Sequence, residues 1–317
     1  MLSQYLAPLL FALFVWWFST GVVLYLNRLP RQTYPWSMLG ATLLLTLSLF
    51  GLVQQSANAS VTSAYLAFTY AVFIWGWLEM SYFMGLVTGP RKQPCPVGSS
   101  NWARFRLAVQ VSLYHELAVV GLAALIVWLT WGQPNQVGTW TFLVLWWMRW
   151  SAKLNLFFGV PNLNEDWLPE HLRMLTSFIK KKPINLLFPI SVTVATILVA
   201  LLMQRALLPD ADPFVAVSLT LIATLLALGI LEHWFLVLPL ADAALWKWAI
   251  RPEQTGHQGA TEEPSDKEQD ASAETGTSPG DPGRLRAPRA ESHRRTEPRP
   301  DPPPAHPAGT APTNPDT

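Results

Sequence analysis

The stretch "YLAPLLFALFVWWFSTGVVLYL" occupies residues 5–26 and contains no charged side chain. A helix of about 20 such residues is long enough to cross the ~30 Å hydrocarbon core of a bilayer. The stretch has no basic segment before it and no cleavage site of small residues. We therefore predict a retained membrane span rather than a signal peptide. Similar runs recur along the chain, and they decide the fold.

The composition extends this prediction to the whole chain. Hydrophobic residues make up 50% of the 317 residues and charged residues only 14%, and the polar residues are concentrated after residue 250. This pattern excludes an ordinary soluble domain. We predict an all-α, polytopic membrane protein, with a bundle of seven transmembrane helices in residues 1–250. The predicted spans are residues 5–26, 36–53, 61–87, 107–131, 138–160, 184–203 and 214–240.

The connectors between the predicted spans alternate in charge. Connectors one, three and five are rich in arginine and lysine, whereas connectors two and four carry no charge. The positive-inside rule then assigns the odd-numbered connectors to the cytoplasm, with the N-terminus outside and the C-terminus in the cytoplasm. The net charge of the chain is only +1, and no nucleic-acid partner is predicted.

Two predicted cytoplasmic segments differ from plain connectors. In residues 164–182, leucines such as Leu168 and Leu172 recur at helical spacing, which predicts a short amphipathic helix that lies on the inner leaflet or docks on a partner. Residues 252–317 are rich in Pro, Glu, Ser, Thr and Gly and nearly free of large apolar residues. We predict that this tail is disordered, because it cannot bury enough apolar surface to fold.

Five acidic or histidine residues lie inside the predicted spans: Glu79, His115, Glu116, Glu232 and His233. Charged groups in a membrane are costly, so they usually face the bundle interior and serve a function. Counted at 1.5 Å per residue from the cytoplasmic ends of their predicted spans, all five lie ~12 Å from the inner boundary of the membrane. We therefore expect them to form one polar layer.

The layer permits a structural interpretation and a metal-binding one. Arg149 and Lys153 lie near the same level in span five, close to Asn155, and they could neutralise the carboxylates in an ion-pair network. Alternatively, three carboxylates and two imidazoles suit iron, manganese or zinc. Adjacent helical residues diverge by ~100°, however, so His115 and Glu116 are not expected to chelate one ion as a pair. The chain also lacks the Glu-x-x-His spacing of di-iron bundles and the second histidine of the zinc-protease motif.

Two further interpretations concern pigment and transport. His115 or His233 could be an axial ligand to the magnesium of a bacteriochlorophyll-type pigment, and the abundant aromatic residues would suit a flat ring. A transporter is less well supported, because the spans lack the breaks by glycine and proline that many transporters show, apart from Pro189. The single cysteine, Cys95, excludes an intrachain disulfide.

Long stretches of the first 250 residues resemble the PuhE family of photosynthetic complex assembly proteins. They are "LFALFVWWFSTGVVLYLNRLPRQTY", "WSMLGATLLL", "YLAFTYAVFIWGWLEMSYFMGLVTGPRK", "LYHELAVV", "GQPNQVGTWTFLVLWWMRWSAKLNLFFGVPNLNEDWLPEHLRML" and "LEHWFLVLPLADAALWKW". The resemblance does not extend to the tail, residues 252–317.

The resemblance implies an integral protein of the inner, or intracytoplasmic, membrane of purple phototrophic bacteria. It implies a role in assembling the reaction centre and light-harvesting complexes, through bacteriochlorophyll supply or handling, with membrane lipid and photosynthetic subunits as partners. It implies no catalytic residue, and we assign none. The leading hypothesis is a non-catalytic assembly factor. The alternative is a membrane metalloenzyme that acts on a tetrapyrrole or isoprenoid, with Glu79, His115, Glu116, Glu232 and His233 as ligands.

Overall fold

The computed structural model describes residues 2–162, 169–239 and 242–249, and the regular elements in these ranges are all helical. Seven long helices follow one another: α1 Leu2–Asn27, α2 Tyr34–Ser56, α3 Val61–Phe83, α4 Asn101–Leu129, α5 Val137–Phe158, α6 Leu187–Ala206 and α7 Pro213–Phe235. Short 3₁₀-helices occupy Arg31–Thr33, Glu170–Phe178 and Asp242–Trp246. The predicted tail, residues 252–317, lies outside the described residues.

Six of the long helices are sufficiently long and apolar to cross a membrane: all except α5. The protein is therefore a multi-pass α-helical membrane protein. Helix α5 has 22 residues, two more than α6, so its length does not distinguish it. It contains Arg149 and Lys153 as well as four tryptophans, and these polar and amphipathic side chains set it apart from the six.

Local signals explain why several helices begin where they do. The side chain of Ser60 accepts a hydrogen bond from Ser63 N before α3, and that of Ser100 accepts one from Ala103 N before α4. Asp212 caps α7 in the same way, followed by Pro213 at the first helical position. Such caps satisfy backbone N–H groups that have no partner within the helix. The cap at Ser100 extends α4 six residues beyond the predicted start at 107.

Two predicted spans are longer than the helices that form. Helix α3 ends at Phe83 rather than 87, because Gly85 adopts a left-handed φ of 79° and Leu86 N returns to the carbonyl of Ser81 at 2.9 Å. This arrangement is a glycine cap that closes the helix. Helix α7 ends at Phe235 rather than 240, shortly before Pro239, which cannot continue a helix.

The core of the bundle is built on α3 and α7. Helix α3 contacts α1, α2, α5 and α7, and α7 also contacts α1, α5 and α6. Phe68 and Leu78 of α3, Phe142 of α5, and Leu221 and Leu226 of α7 are at most 1% exposed. Helices α3 and α7 are therefore the central pair, and side chains projecting from them towards α5 are removed from lipid.

Helices α2 and α6 form the outer wall of the bundle. Leu39, Leu43 and Leu47 are exposed along α2, and Ile190 and Ile197 are exposed along α6. A helix with apolar residues all round its circumference is typical of a membrane span. These exposed apolar stripes are the surfaces that lipid tails would cover.

The connectors gather at two opposite ends of the bundle. Asn135, after α4, donates from its side chain to Gln55 O at 3.1 Å and from its backbone to Ser56 O at 2.9 Å, which joins connectors two and four. At the other end, Cys95 N donates to Ser177 Oγ at 2.8 Å, which joins connectors three and five. We call this second end the basic end, because it collects the arginines and lysines of connectors one, three and five.

Of the segment predicted as an amphipathic helix, residues 169–182 are described, and they include a short helix. Residues Glu170–Phe178 form a 3₁₀-helix that packs against α4, and Leu172 and Phe178 are only 1% and 3% exposed. These apolar side chains are therefore buried in the protein rather than laid on lipid. The first part of the predicted segment, including Leu168, lies outside the described residues.

Candidate functional site

The structure brings the predicted polar layer together around α5. Glu79 lies on α3, His115 and Glu116 on α4, and Glu232 and His233 on α7. The helix ends differ from the predicted span ends: Glu79 lies four residues before the end of α3, whereas His115 lies fourteen after the start of α4. Helix α5 supplies a partner to each of the other three helices.

The first partnership is an ion pair between α3 and α5. Arg149 Nη2 lies 2.9 Å from Glu79 Oε2, with the two side chains 33% and 12% exposed. The Arg149 guanidinium also lies 6.0 Å from the ring centroid of Phe83, within the range of a cation–π contact. Glu79 Oε1 and Arg149 Nε are buried and have no hydrogen-bond partner among the described residues. The pair is therefore held by a single contact rather than by the bidentate arrangement.

The second partnership is an ion pair between α4 and α5. Lys153 Nζ lies 2.5 Å from Glu116 Oε1, and Trp150 Nε1 donates to Glu116 Oε2 at 2.7 Å. Both carboxylate oxygens of Glu116 are thus engaged by neighbours one turn apart on α5. Lys153 Nζ also lies 5.3 Å from the ring centroid of Tyr82 on α3. Lys153 therefore connects α4 with α5 and approaches α3.

His233 is held by hydrogen bonds at both ring nitrogens. Nδ1 lies 2.8 Å from Gly229 O, and Nε2 lies 2.8 Å from Ser151 Oγ. Only a protonated Nδ1 can donate to a carbonyl, so the neutral ring accepts from the Ser151 hydroxyl at Nε2. The polar chain continues on α5, where Asn155 Nδ2 donates to Ser151 O at 2.9 Å and to Ser191 Oγ at 3.3 Å. His233 thus takes part in a polar connection among α5, α6 and α7.

His115 is buried differently. It is 1% exposed, and its ring centroid lies 4.7 Å from that of Tyr82. Its Nδ1 is buried and has no hydrogen-bond partner among the described residues. The backbone N–H of His115 donates to Thr88 O at 2.9 Å, so the segment after α3 packs closely against α4 here. His115 and its neighbour Glu116 therefore point to different surroundings, as the ~100° step of the helix requires.

Glu232 is exposed at the side of the bundle, unlike the other members of the layer. Trp16 Nε1 of α1 donates to Glu232 Oε1 at 2.9 Å. The carboxylate of Glu232 also acts electrostatically on Arg149, as do those of Glu79 and Glu116. Arg149 forms its ion pair with Glu79, and the carboxylates of Glu116 and Glu232 lie farther from it.

The described residues include no group of three or more His, Cys, Asp or Glu side chains that could hold a metal ion. Glu79 and Glu116 each pair with a cation of α5, and both nitrogens of His233 are occupied by protein atoms. The metal-site interpretation therefore has no supporting geometry and stays a prediction from the sequence. The ion-pair interpretation matches the contacts that form.

Sequence reasoning missed the neutral partners of the layer. Trp150, Ser151 and Trp16 each hydrogen-bond to a predicted site residue. The sequence carried a signal for two of them. Trp150 and Ser151 lie between Arg149 and Lys153, on the one span that holds the basic residues of the layer. Trp16, by contrast, is one of several aromatic residues of α1, and its sequence context gives no sign of a polar role.

The fold and the charged layer define a multi-pass α-helical membrane protein in which ion pairs join α5 to α3 and α4. The chain belongs to the family described as "Protein of unknown function (DUF3623)", whose model matches residues 2–257. It is 39% identical over 242 residues to the "Uncharacterized 30.4 kDa protein in puhA 5'region" of Rhodobacter capsulatus. The aligned region covers 75% of this chain and 88% of that protein. No solved structure matches significantly.

Proposed function

We propose that this protein is an inner-membrane assembly factor for the bacterial photosynthetic apparatus, which acts on reaction-centre or light-harvesting subunits without catalysing a reaction. The observation that carries the proposal is the relative in Rhodobacter capsulatus, whose name states that it comes from the puhA 5' region. That location suggests a link to photosynthesis genes. The resemblance to the PuhE family rests on long stretches of the same part of the chain.

The proposal includes seven membrane crossings, with the C-terminus in the cytoplasm. Connectors three and five contact each other at the basic end, and connectors two and four contact each other at the opposite end. This grouping supports a crossing by α5 as well as by the other six helices. The arginines and lysines of the basic end favour the cytoplasmic side.

The contacts of the polar layer favour a structural or binding role over catalysis. General acid–base catalysis needs a titratable group within reach of a substrate. Glu116 has both oxygens engaged, and His233 has both ring nitrogens engaged, by side chains and backbone of the protein itself. The layer therefore has the character of a framework that fixes α3, α4 and α7 around α5.

The proposal predicts a phototrophic defect when the protein is absent. Deleting the relative's gene in Rhodobacter capsulatus is expected to lower the amounts of reaction centre and light-harvesting complexes under phototrophic growth. Expressing this chain in that strain is expected to restore them. The measurement is near-infrared absorbance of isolated membranes, with respiratory growth in the dark as the control. Unchanged pigment–protein levels in the deletion strain would contradict the proposal.

Within the same proposal, His115 is better suited than His233 to contact a pigment. His115 Nδ1 is without a hydrogen-bond partner among the described residues, whereas both nitrogens of His233 are occupied. We expect mildly solubilised protein to co-purify with bacteriochlorophyll-type absorbance. That absorbance should fall severalfold in His115→Leu and persist in the matched control His233→Gln. Equal absorbance in His115→Leu and wild type would exclude His115 as a ligand.

A further inference from the structure

A small cavity opens at the basic end, where connectors one, three and five meet. Its volume is about 250 Å³, and Arg31, Lys92 and His171 are among the residues that line it, one from each connector. Pockets for drug-sized ligands measure roughly 300–1,000 Å³. This cavity is therefore suited to one small group rather than to a pigment or a large substrate. It is also separate from the polar layer around α5.

The rim of the cavity is positively charged. Arg31 and Lys92 are exposed, and neither forms an ion pair with a carboxylate in the described ranges. Lys92 Nζ donates to Thr88 Oγ1 at 2.6 Å, which holds the ammonium group over the cavity. Burial and the positive charges of Arg31 and Lys92 lower the pKa of His171. The imidazole is therefore neutral at pH 7, and the two longer side chains supply the charge.

The floor of the cavity is fixed by packing. Met84 and Leu172 are 6% and 1% exposed, and Thr88 is 3% exposed. Gly85 lies so close to His171 that a Cβ at this position would be 2.9 Å from His171 Nε2. That nitrogen is buried and has no hydrogen-bond partner among the described residues. The cavity thus combines a floor of packed side chains, with the His171 imidazole among them, and two exposed cations at its rim.

We propose that this cavity binds one phosphate group, carried either by the headgroup of an anionic phospholipid or by free phosphate. The Arg31 guanidinium can donate two hydrogen bonds to phosphate oxygens, and Lys92 adds a point charge beside them. The cavity lies at the start of α2 and the end of α3, where apolar spans meet the connectors. That position matches the depth of lipid headgroups. The site is independent of the proposed role in assembly.

The test compares two probes on the full-length protein in detergent. Phosphatidylglycerol is titrated, with phosphatidylcholine of the same acyl chains as the baseline, and retained lipid is counted by native mass spectrometry. Inorganic phosphate is titrated separately by calorimetry. The double variant Arg31→Gln, Lys92→Gln is expected to weaken binding by about tenfold or more, because it removes both cations at the rim of the cavity. If the double variant loses affinity for phosphatidylglycerol only, the phosphate belongs to a lipid headgroup. If it loses affinity for inorganic phosphate, the ligand is free phosphate.

The control removes the same charges elsewhere at the basic end. Arg106 and Lys182 are exposed and do not line the cavity. Arg106→Gln, Lys182→Gln is expected to change either affinity by about twofold at most, as for exposed charges without a specific contact. The single variant Lys92→Gln repeats the test if the double variant aggregates. Equal affinities in wild type and cavity variants, or equal losses in cavity and control variants, would overturn the proposal.

Discussion

Replacing Arg149 by glutamine is expected to lower the free energy of unfolding by about 2–4 kcal/mol. Arg149 pairs with Glu79 at 2.9 Å. Without it, the Glu79 carboxylate stays between α3 and α5 with no counter-ion. Removing one partner of a fully buried pair costs about 3–5 kcal/mol, and we expect less because a third of the Arg149 side chain is exposed. The measurement is the denaturation midpoint in bicelles.

The double variant Glu79→Gln, Arg149→Gln separates the charge from the packing. It leaves neither partner charged, so it is expected to recover at least half of the stability that Arg149→Gln alone loses. The control is Arg106→Gln, which removes an exposed charge and should change the midpoint little. If the double variant were as unstable as the sum of the two single variants, the ion pair would not explain the effect of Arg149.

The membrane fold could be predicted because its signals are local in the sequence. Apolar runs of sufficient length predict the spans, and the alternation of charge separates the connectors into the two groups that meet at opposite ends of the bundle. The positions of Glu79, Glu116 and Arg149 in such runs were also sufficient to suggest an ion-pair network as one of the interpretations. Burial of unpaired charge in an apolar environment is so costly that oppositely charged residues at one level must approach each other.

The partners of each charge could not be predicted, because they depend on the rotation and height of the helices. Glu116 turns to Lys153 and Trp150 of α5, whereas its neighbour His115 packs against Tyr82 of α3. Tryptophans supply the neutral donors, and in the sequence an indole that donates a hydrogen bond looks the same as one that only packs. Helix ends were missed for a similar reason: the left-handed turn at Gly85 decides where α3 stops.

The segment after α3 lies so close to the backbone of α4 that Gly89 has no room for a side chain. A Cβ at this position would lie 2.1 Å from Gln110 O and 2.6 Å from Val111 C, both backbone atoms of α4. Helical backbone cannot move aside as a flexible side chain can. Two hydrogen bonds hold the contact on either side of Gly89: His115 N to Thr88 O at 2.9 Å and Arg91 N to Gln110 O at 3.4 Å.

Gly89→Ala is therefore expected to lower the free energy of unfolding by about 1–3 kcal/mol, and Gly89→Val by more, because overpacking a fixed contact forces backbone to shift. The matched control is Gly121→Ala in α4, where a Cβ meets nothing within 4 Å and alanine favours the helix. Amide hydrogens of residues 86–92 should exchange faster in Gly89→Ala than in wild type or Gly121→Ala, because both flanking hydrogen bonds are lost together. A Gly89→Ala protein as stable as Gly121→Ala would mean that this segment does not pack against α4 in the membrane.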